Sequence, residues 1–335
     1  MVSLCQEVGE NYALMDFIQF CEEVRRLVER QLGEAYEITL KKIVKNNQKE
    51  FQSIMIKDDG ASVAPTIYLE AMYDAYENGA KLTAIAEDVV RIYEENRNPW
   101  PEGIDFTLAG VRDKIVFRVI NYDRNKELLE HMPYICFGEL AVCFECMLLE
   151  ARESVGSVRI ENRMLSEWNI GLSDLIELAK ENTYRLMPVR IEPIEDVLVE
   201  ILMTRLQEDC SLTDSERDEK TKEILDQVLD SRERGGLPMY VLSNARNHFG
   251  ANAMLNIDFM DEVRGRLKED FYILPSSIHE LIVIPVSFAP TEDRLMEMVK
   301  EVNEREVPDT EYLSDSVFRY GFLRRQISTA LQWEA

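Results

Sequence analysis

Two polar stretches of the sequence, at 244–250 and 274–280, carry the residue types that acid–base chemistry uses. Their candidate site residues are Asn244, Asn247, His248, Ser276, Ser277, His279 and Glu280. An imidazole titrates near neutral pH, and hydroxyl and amide groups beside it can bind a ligand. If both stretches are loops at one end of one sheet, we expect a shared pocket with His248 and His279 within about 10 Å of each other. The alternative is that these side chains only satisfy turn backbones.

Basic residues form two further candidate patches. Lys41, Lys42 and Lys45 cluster around an expected hairpin, and near the C-terminus arginines alternate with aromatic residues: Phe318, Arg319, Tyr320, Phe322, Arg324 and Arg325. Basic and aromatic residues together can bind single-stranded nucleic acid. The overall negative charge opposes that role, and hairpin lysines commonly protect an exposed strand edge. We therefore favour a solvated face or an intramolecular acidic partner for these residues.

Cys143 and Cys146 have the C-x-x-C spacing of some metal and redox sites. Zinc needs about four ligands, and no second cysteine pair follows. A redox pair needs an exposed helix N-terminus, whereas Val142, Phe144 and Met147 surround these thiols. The sequence therefore predicts core thiols, which would share one buried face if the segment is helical, and it predicts no metal site.

The familiar phosphate-binding, nucleophile-elbow and zinc-protease motifs are absent from the sequence. His279-Glu280 begins the zinc-protease pattern, but Val283 stands where the second histidine is needed. No cofactor is predicted. A nuclease would need paired carboxylates and a lysine holding a metal; Glu37 and Lys41 are present, but no spacing singles them out.

The net charge of −25 restricts the partners of the chain. A strong negative field repels nucleic-acid phosphates and anionic membrane surfaces, so both are disfavoured partners. The charge can serve solubility alone, or it can form a surface that docks a basic protein or imitates nucleic acid. Composition does not separate these alternatives.

The sequence also predicts the compartment. No run of about 18 apolar residues could span a bilayer, and the N-terminus lacks a basic region followed by an apolar stretch. Most of the six cysteines lie in apolar stretches, which suits reduced thiols in a cytoplasm. The first 14 residues add no clear element, so a natural start at either Met1 or Met15 is compatible with the fold.

Periodicity predicts the elements that position the candidate residues. Apolar spacing of three and four predicts a helix over 16–32, with Asp16 as N-cap and Gly33 as its end. Alternation from Tyr36 predicts a hairpin that turns at Asn46-Asn47, a short strand at 63–68, and then helices. The segment 111–120 is equally compatible with helix and strand, and 135–150 is expected in the core.

Farther along, a strand is expected at 155–160, and Ser173 is expected to cap a helix. The C-terminal part is predicted to place strands at 239–243, 251–256, 271–274 and 281–286, with Pro285 marking an edge strand or a strand end. Helices are expected after Asp258 and after Pro290-Thr291. The predicted fold is α+β, with small antiparallel or mixed sheets backed by helices. We expect an N-terminal lobe at 1–187, a helical connector at 188–236 and a C-terminal lobe at 237–335.

Five blocks of the sequence resemble those of a known family. They lie at 94–97, 119–122, 178–183, 239–244 and 272–277. The family is one of hypothetical proteins with a domain of unknown function, common in clostridial gut bacteria. The similarity extends over about residues 16–320 and implies a bacterial cytoplasmic protein without assigning any catalytic residue.

Two hypotheses for function follow. The first is a non-catalytic binding or regulatory protein with an acidic surface and a basic protein partner. The second is an enzyme, hydrolase- or nuclease-like, with its site in the 244–250 and 274–280 loops. The sequence predicts neither the ligand nor the oligomeric state.

Overall fold

A computed structural model describes residues 15–58, 65–96, 105–151, 154–208, 213–233, 238–321 and position 324. Within these residues the fold is α+β, with every strand pairing antiparallel. This confirms the predicted fold class. None of the described helices has the length and apolar character needed to cross a membrane. The chain folds into two compact units.

The first unit comprises Met1–Lys45 and Lys49–Ile104. Its elements are α1 (Phe17–Leu32), β1 (Tyr36–Val44), β2 (Glu50–Asp58), β3 (Thr66–Tyr68), α2 (Glu70–Glu77) and α3 (Leu82–Asn96). The Asp16 side chain accepts a hydrogen bond from Gln19 N–H at 2.8 Å, so the predicted N-cap is confirmed. Gly33 ends α1 with a φ of 79°, a conformation that favours glycine.

The core of the first unit follows from two periodicities. In β2, Ile54 and Ile56 are fully buried because alternate residues face the helices. In α1, Phe20, Val24 and Val28 are fully buried at four-residue spacing. All five belong to one apolar cluster.

The second unit comprises Asn46–Gln48 and Asp105–Ala335. Its helices are α4 (Leu108–Val111), α5 (Lys126–Leu129), α6 (Asn162–Trp168), α7 (Leu172–Leu186), α8 (Ile194–Glu208), α9 (Asp214–Glu233), α10 (Ile257–Leu267) and α11 (Glu292–Arg305). Its strands are β4 (Ile115–Asn121), β5 (Ile135–Phe137), β6 (Leu140–Ala151), β7 (Ser154–Arg159), β8 (Val189–Pro193), β9 (Tyr240–Asn244), β10 (Phe271–Pro275), β11 (Leu281–Pro285) and β12 (Phe318–Arg319).

Two sheets share the core of this unit. In one, β6 pairs with β4, β5 and β7, and the other has the order β12-β10-β11-β9-β8. Phe117 and Phe144 of the first sheet and Leu242 and Phe271 of the second are fully buried in one cluster. Pro285 ends β11, as expected, although β11 lies inside its sheet between β10 and β9.

The helical segment that was expected to join two lobes lies between two paired strands. β8 precedes α8, β9 follows α9, and the two strands pair from Val189↔Asn244 to Pro193↔Tyr240. The expected boundaries at 187 and 236 therefore fall inside the second unit. The predicted glycine stop at Gly235-Gly236 lies outside the described residues.

Several local predictions were wrong. The expected strand at 251–256 is a 3-10 helix, Gly250–Leu255, whose residues are all buried. A short apolar run has no period that distinguishes a strand from a buried helical turn. Asn256, rather than Asp258, caps α10 by accepting from Phe259 N–H at 3.1 Å.

Other segments were ambiguous or displaced by a few residues. Most of strand β4 lies in the ambiguous segment 111–120, and α7 begins at Leu172 after Gly171, so Ser173 lies inside the helix rather than capping it. Part of the predicted strand at 63–68 lies outside the described residues, and β3 covers Thr66–Tyr68.

Candidate functional site

The 244–250 and 274–280 loops lie at the same end of the five-stranded sheet. β9 ends at Asn244, and the 274–280 loop connects the end of β10 to the start of β11. Leu281 pairs with Leu242 on one side and with Pro275 on the other. This antiparallel register brings the two loops together, with the imidazole centroids of His248 and His279 5.4 Å apart.

Gly250 allows the close approach of the two loops. A Cβ atom at this position would collide with the carbonyl oxygen of His279 and the hydroxyl of Ser243. The Ser243 hydroxyl donates a hydrogen bond to that same carbonyl at 2.8 Å. Just before it, Phe249 has a φ of 52°, a left-handed conformation that is costly for a bulky residue.

The hydrogen bonds of His279 fix its orientation. The backbone N–H of Phe249 donates to Nδ1 of His279 at 3.1 Å, so Nδ1 is the acceptor nitrogen. The Phe249 and His279 rings lie nearly parallel, with centroids 6.1 Å apart. Nε2 of His248 is buried and has no hydrogen-bond partner among the described residues.

The environment keeps both imidazoles neutral. Burial, followed by the charges of His279, Arg118 and Arg246, lowers the pKa of His248 from 6.5 to about 4. Burial and Arg118 lower the pKa of His279 to about 4 as well. At pH 7 the pair can therefore accept a proton only weakly, and each ring behaves mainly as a packed polar group.

A buried ion pair that the sequence analysis missed lies beside this pair. Nη1 of Arg118 is 2.6 Å from Oε1 of Glu145, and the side chains are 13% and 3% exposed. The Arg118 guanidinium carbon lies 4.8 Å from the centre of the Phe249 ring. Arg118 among the apolar residues of β4 and Glu145 among those of β6 were the sequence signal for this pair.

Ser276, Ser277 and Glu280 complete the second loop. The Ser277 hydroxyl accepts from His279 N–H at 3.0 Å, and the Ser276 hydroxyl donates to Glu280 Oε1 at 3.4 Å. Burial raises the pKa of Glu280, and the charge of Glu311 adds to the effect. Among the described contacts no serine hydroxyl bonds an imidazole nitrogen, which a serine nucleophile activated by histidine requires.

The two asparagines of the first loop stabilise that loop. Asn244 donates from its amide nitrogen to His248 O at 2.9 Å, and its Oδ1 accepts from Arg246 N–H at 3.0 Å. Asn247 Oδ1 accepts from Nη2 of Arg190 at 2.6 Å. Both amides therefore bond other protein groups, Asn244 within the loop and Asn247 with Arg190 of β8.

Three clefts of the second unit are lined by residues other than His248 and His279. A cleft of 630 Å³ is lined by residues including Tyr122, Lys126 and Tyr134 rather than by the two histidine loops. Arg246 contributes to a smaller cleft of 300 Å³, together with Lys114 and Arg185. The carboxylate of Asp113 lines the same cleft beside these three cations.

The candidate lysines belong to the first unit. Lys42 forms an ion pair with Glu50 at 2.5 Å, and Lys45 Nζ lies 3.8 Å from the centre of the Tyr68 ring. Lys41 is exposed. Two of the three lysines therefore have partners within their own sheet.

The C-terminal basic and aromatic residues are also partnered. Arg319 pairs with Asp270 at 3.0 Å, and Arg324 pairs with Asp261 at 3.2 Å. Tyr320 is buried and stacks on Phe271, so it is not available to stack on a base. Phe322 and Arg325 lie outside the described residues.

Cys143 and Cys146 lie on strand β6, so the expectation of a shared helical face was wrong. Three residues apart on a strand, they face opposite sides of the sheet and belong to different apolar clusters. Burial raises the pKa of each thiol to about 12, which makes both unreactive. No group of three or more metal-ligating side chains occurs within the described ranges. Cys136 is exposed, and Cys5 and Cys210 fall outside those ranges.

Residues 17–321 match DUF5688, a family of unknown function. No curated protein and no solved structure matches the chain.

Proposed function

We propose a function from surface chemistry, because the chain belongs to the DUF5688 family, which has no known function. The proposal is a non-catalytic binding protein whose acidic surface docks a basic protein. The net charge of −25 motivates it. In the same direction, the side chains of Asn244, Ser276 and Ser277 make hydrogen bonds within their own loops.

The observation that carries the proposal is an acidic face on the helices of the first unit. α2 has three acidic residues and no basic one, and α3 has four acidic residues and one arginine. Arg91 is shared between Asp88 at 2.7 Å and Glu95 at 3.6 Å. Glu87 and Glu94 are exposed, with no ion-pair partner among the described residues.

The position of these carboxylates favours a role in docking. Glu87, Arg91 and Glu94 share the solvent face of α3, while Val89 and Tyr93 on the opposite face are buried in the core. Exposed charges of one sign raise association rates with a partner of opposite charge and select against like-charged ones. Reversing them should remove binding without disturbing the core.

The test is capture of partners from a cell lysate by the full chain and by the Glu87→Lys/Glu94→Lys variant. The wild type is expected to retain a basic protein, and the variant is expected to lose it. The matched control is Glu177→Lys/Glu181→Lys, which makes the same charge change at two exposed positions of α7. The control should retain the partner.

Three results would contradict the proposal. They are a wild type that retains nothing, a retained partner that is acidic, and equal loss of the partner in both variants. Equal loss would show that net charge alone, and no particular face, determines the interaction.

One geometric observation favours a second candidate, a hydrolase- or nuclease-like enzyme. The two loops meet with their imidazoles 5.4 Å apart, and one buried imidazole nitrogen has no partner in the described residues. If this candidate is correct, a generic ester or phosphodiester substrate should be hydrolysed by the wild type and not by a folded His248→Gln variant. Equal rates in both proteins would exclude it.

The location of the protein is part of the proposal. The resemblance to hypothetical proteins of clostridial gut bacteria supports a bacterial cytoplasm, and unpaired thiols at Cys21, Cys136, Cys143 and Cys146 are compatible with a reducing compartment. Nucleic acid remains a disfavoured partner because of the overall charge.

A further inference from the structure

Helix α8 leaves an apolar stripe uncovered. Leu198, Ile201 and Leu202 are 49%, 43% and 39% exposed, and no side chain from 194 to 207 is fully buried. A helix this rich in apolar residues is normally covered by protein. Contiguous exposed apolar side chains mark an interaction surface.

The stripe is bounded by one charge of each sign. Leu198, Ile201 and Leu202 have the three- and four-residue spacing of a single helix face. Glu195 lies three residues before Leu198 and Arg205 three residues after Leu202, so both extend the same face. Within the described residues neither Glu195 nor Arg205 has an ion-pair partner.

Except for Ile201, whose counterpart is Val199, this arrangement is symmetric about position 200. Glu195 and Arg205 are equally distant from it, and so are Leu198 and Leu202. When two such helices pack antiparallel across a two-fold axis at this position, each residue faces its symmetric counterpart on the other helix. Each glutamate then meets an arginine, and each leucine meets a leucine.

We infer that this stripe pairs with the α8 stripe of a second copy of the chain, in an antiparallel, two-fold symmetric contact. Glu195 of one protomer faces Arg205 of the partner subunit, and the reciprocal pair forms at the other end. A two-fold contact uses the same patch on both subunits and therefore requires a self-complementary patch. The stripe has this property.

The charges also discriminate between occupants. A basic partner segment would bring its cations close to Arg205, and an acidic one would meet Glu195. A second copy satisfies both charges. This inference does not depend on the proposed binding function, which uses the first unit.

The contact should be weak. α8 has 15 residues and is therefore about 22 Å long, so one stripe is small compared with the interface of a permanent dimer. Two chains that each carry a net charge of −25 also repel one another. We expect a dimer that forms reversibly as the protein concentration rises.

Sedimentation equilibrium of the full chain over a wide concentration range tests the inference. The wild type should fit a monomer–dimer equilibrium. Glu195→Arg and Arg205→Glu each place like charges together at two symmetric contacts, so each should raise the dissociation constant about tenfold. The double variant Glu195→Arg/Arg205→Glu should recover affinity close to that of the wild type.

The matched control is Glu200→Arg, which makes the same charge change as Glu195→Arg but on the opposite, exposed side of α8. Its dissociation constant should stay within about twofold of the wild-type value. Circular dichroism should show equal helix content in all variants, since these side chains are not fully buried. A chain that stays monomeric at every concentration would overturn the inference and leave the stripe to a different partner. The inference would also be overturned if the single charge reversals left the dissociation constant unchanged, or if the double variant did not recover the affinity of the wild type.

Discussion

Replacing Gly250 by alanine tests the loop geometry of the second unit. The added methyl would collide with the His279 carbonyl oxygen and the Ser243 hydroxyl, and it would approach Ser243 Cβ to 3.0 Å. Overpacking of a close contact costs about 1–3 kcal/mol. Displacing Ser243 also weakens its 2.8 Å hydrogen bond to His279, which adds about 1 kcal/mol. We therefore expect Gly250→Ala to lower the free energy of unfolding by about 3 kcal/mol.

Urea denaturation of Gly250→Ala beside Gly265→Ala provides the assay. Gly265 lies in helix α10, and a Cβ there would meet nothing within 4 Å. Alanine is a better helix former, so this control should gain up to about 1 kcal/mol. If Gly250→Ala is as stable as the wild type, or if both variants change by the same amount, the two loops do not approach as described.

Two further predictions concern the polar groups beside these loops. The fold lowers the pKa of His248 and His279 from 6.5 to about 4, so between pH 6.5 and pH 4 the unfolded chain binds more protons than the folded one. The free energy of unfolding therefore decreases as the pH falls below 6.5. Allowing for partial exposure, each imidazole should lower the free energy of unfolding by about 1 kcal/mol at pH 5. In urea denaturation, a His248→Gln/His279→Gln variant should therefore lose about 2 kcal/mol less stability than the wild type between pH 7 and pH 5. Equal losses in the two proteins would contradict these pKa values. Arg118→Met leaves buried Glu145 without its partner and should lower the free energy of unfolding by about 3–5 kcal/mol in the same assay. The double variant Arg118→Met/Glu145→Leu should have a stability close to that of the wild type. A single variant as stable as the double variant would contradict the buried ion pair.

The sequence predicted the elements whose local signals agree with one another. α1 has a cap at Asp16, apolar spacing through its length and a glycine end at Gly33, and all three agree with the structure. The β1–β2 hairpin was predicted from the alternation of polarity along β1 and from the turn residues Asn46-Asn47. The 251–256 segment contains only a run of apolar residues. Any element that is buried on all sides has such a run, so the pattern does not distinguish a strand from a helix.

The candidate site was predictable in position but not in chemistry. Antiparallel strand order placed the loops of His248 and His279 at one sheet end, since adjacent strands connect there. Hydrogen-bond partners depend on distances that the sequence does not contain, so the use of Ser277 and Asn244 by backbone groups became visible only in three dimensions. The apolar neighbours of Arg118 in the sequence indicated a buried charge that needs a partner. That partner, Glu145, lies 27 residues farther along the chain, and the sequence did not identify it.

The most direct measurement of the central claim is a calorimetric titration of the full chain with its captured basic partner at two ionic strengths. Exposed charges are screened beyond about 10 Å at 0.1 M salt and beyond about 3 Å at 1 M. If the carboxylates of α3 dock the partner, affinity should fall steeply between these conditions, and Glu87→Lys/Glu94→Lys should bind weakly at both. Affinity that is independent of salt and of these two substitutions would contradict the proposed acidic docking surface.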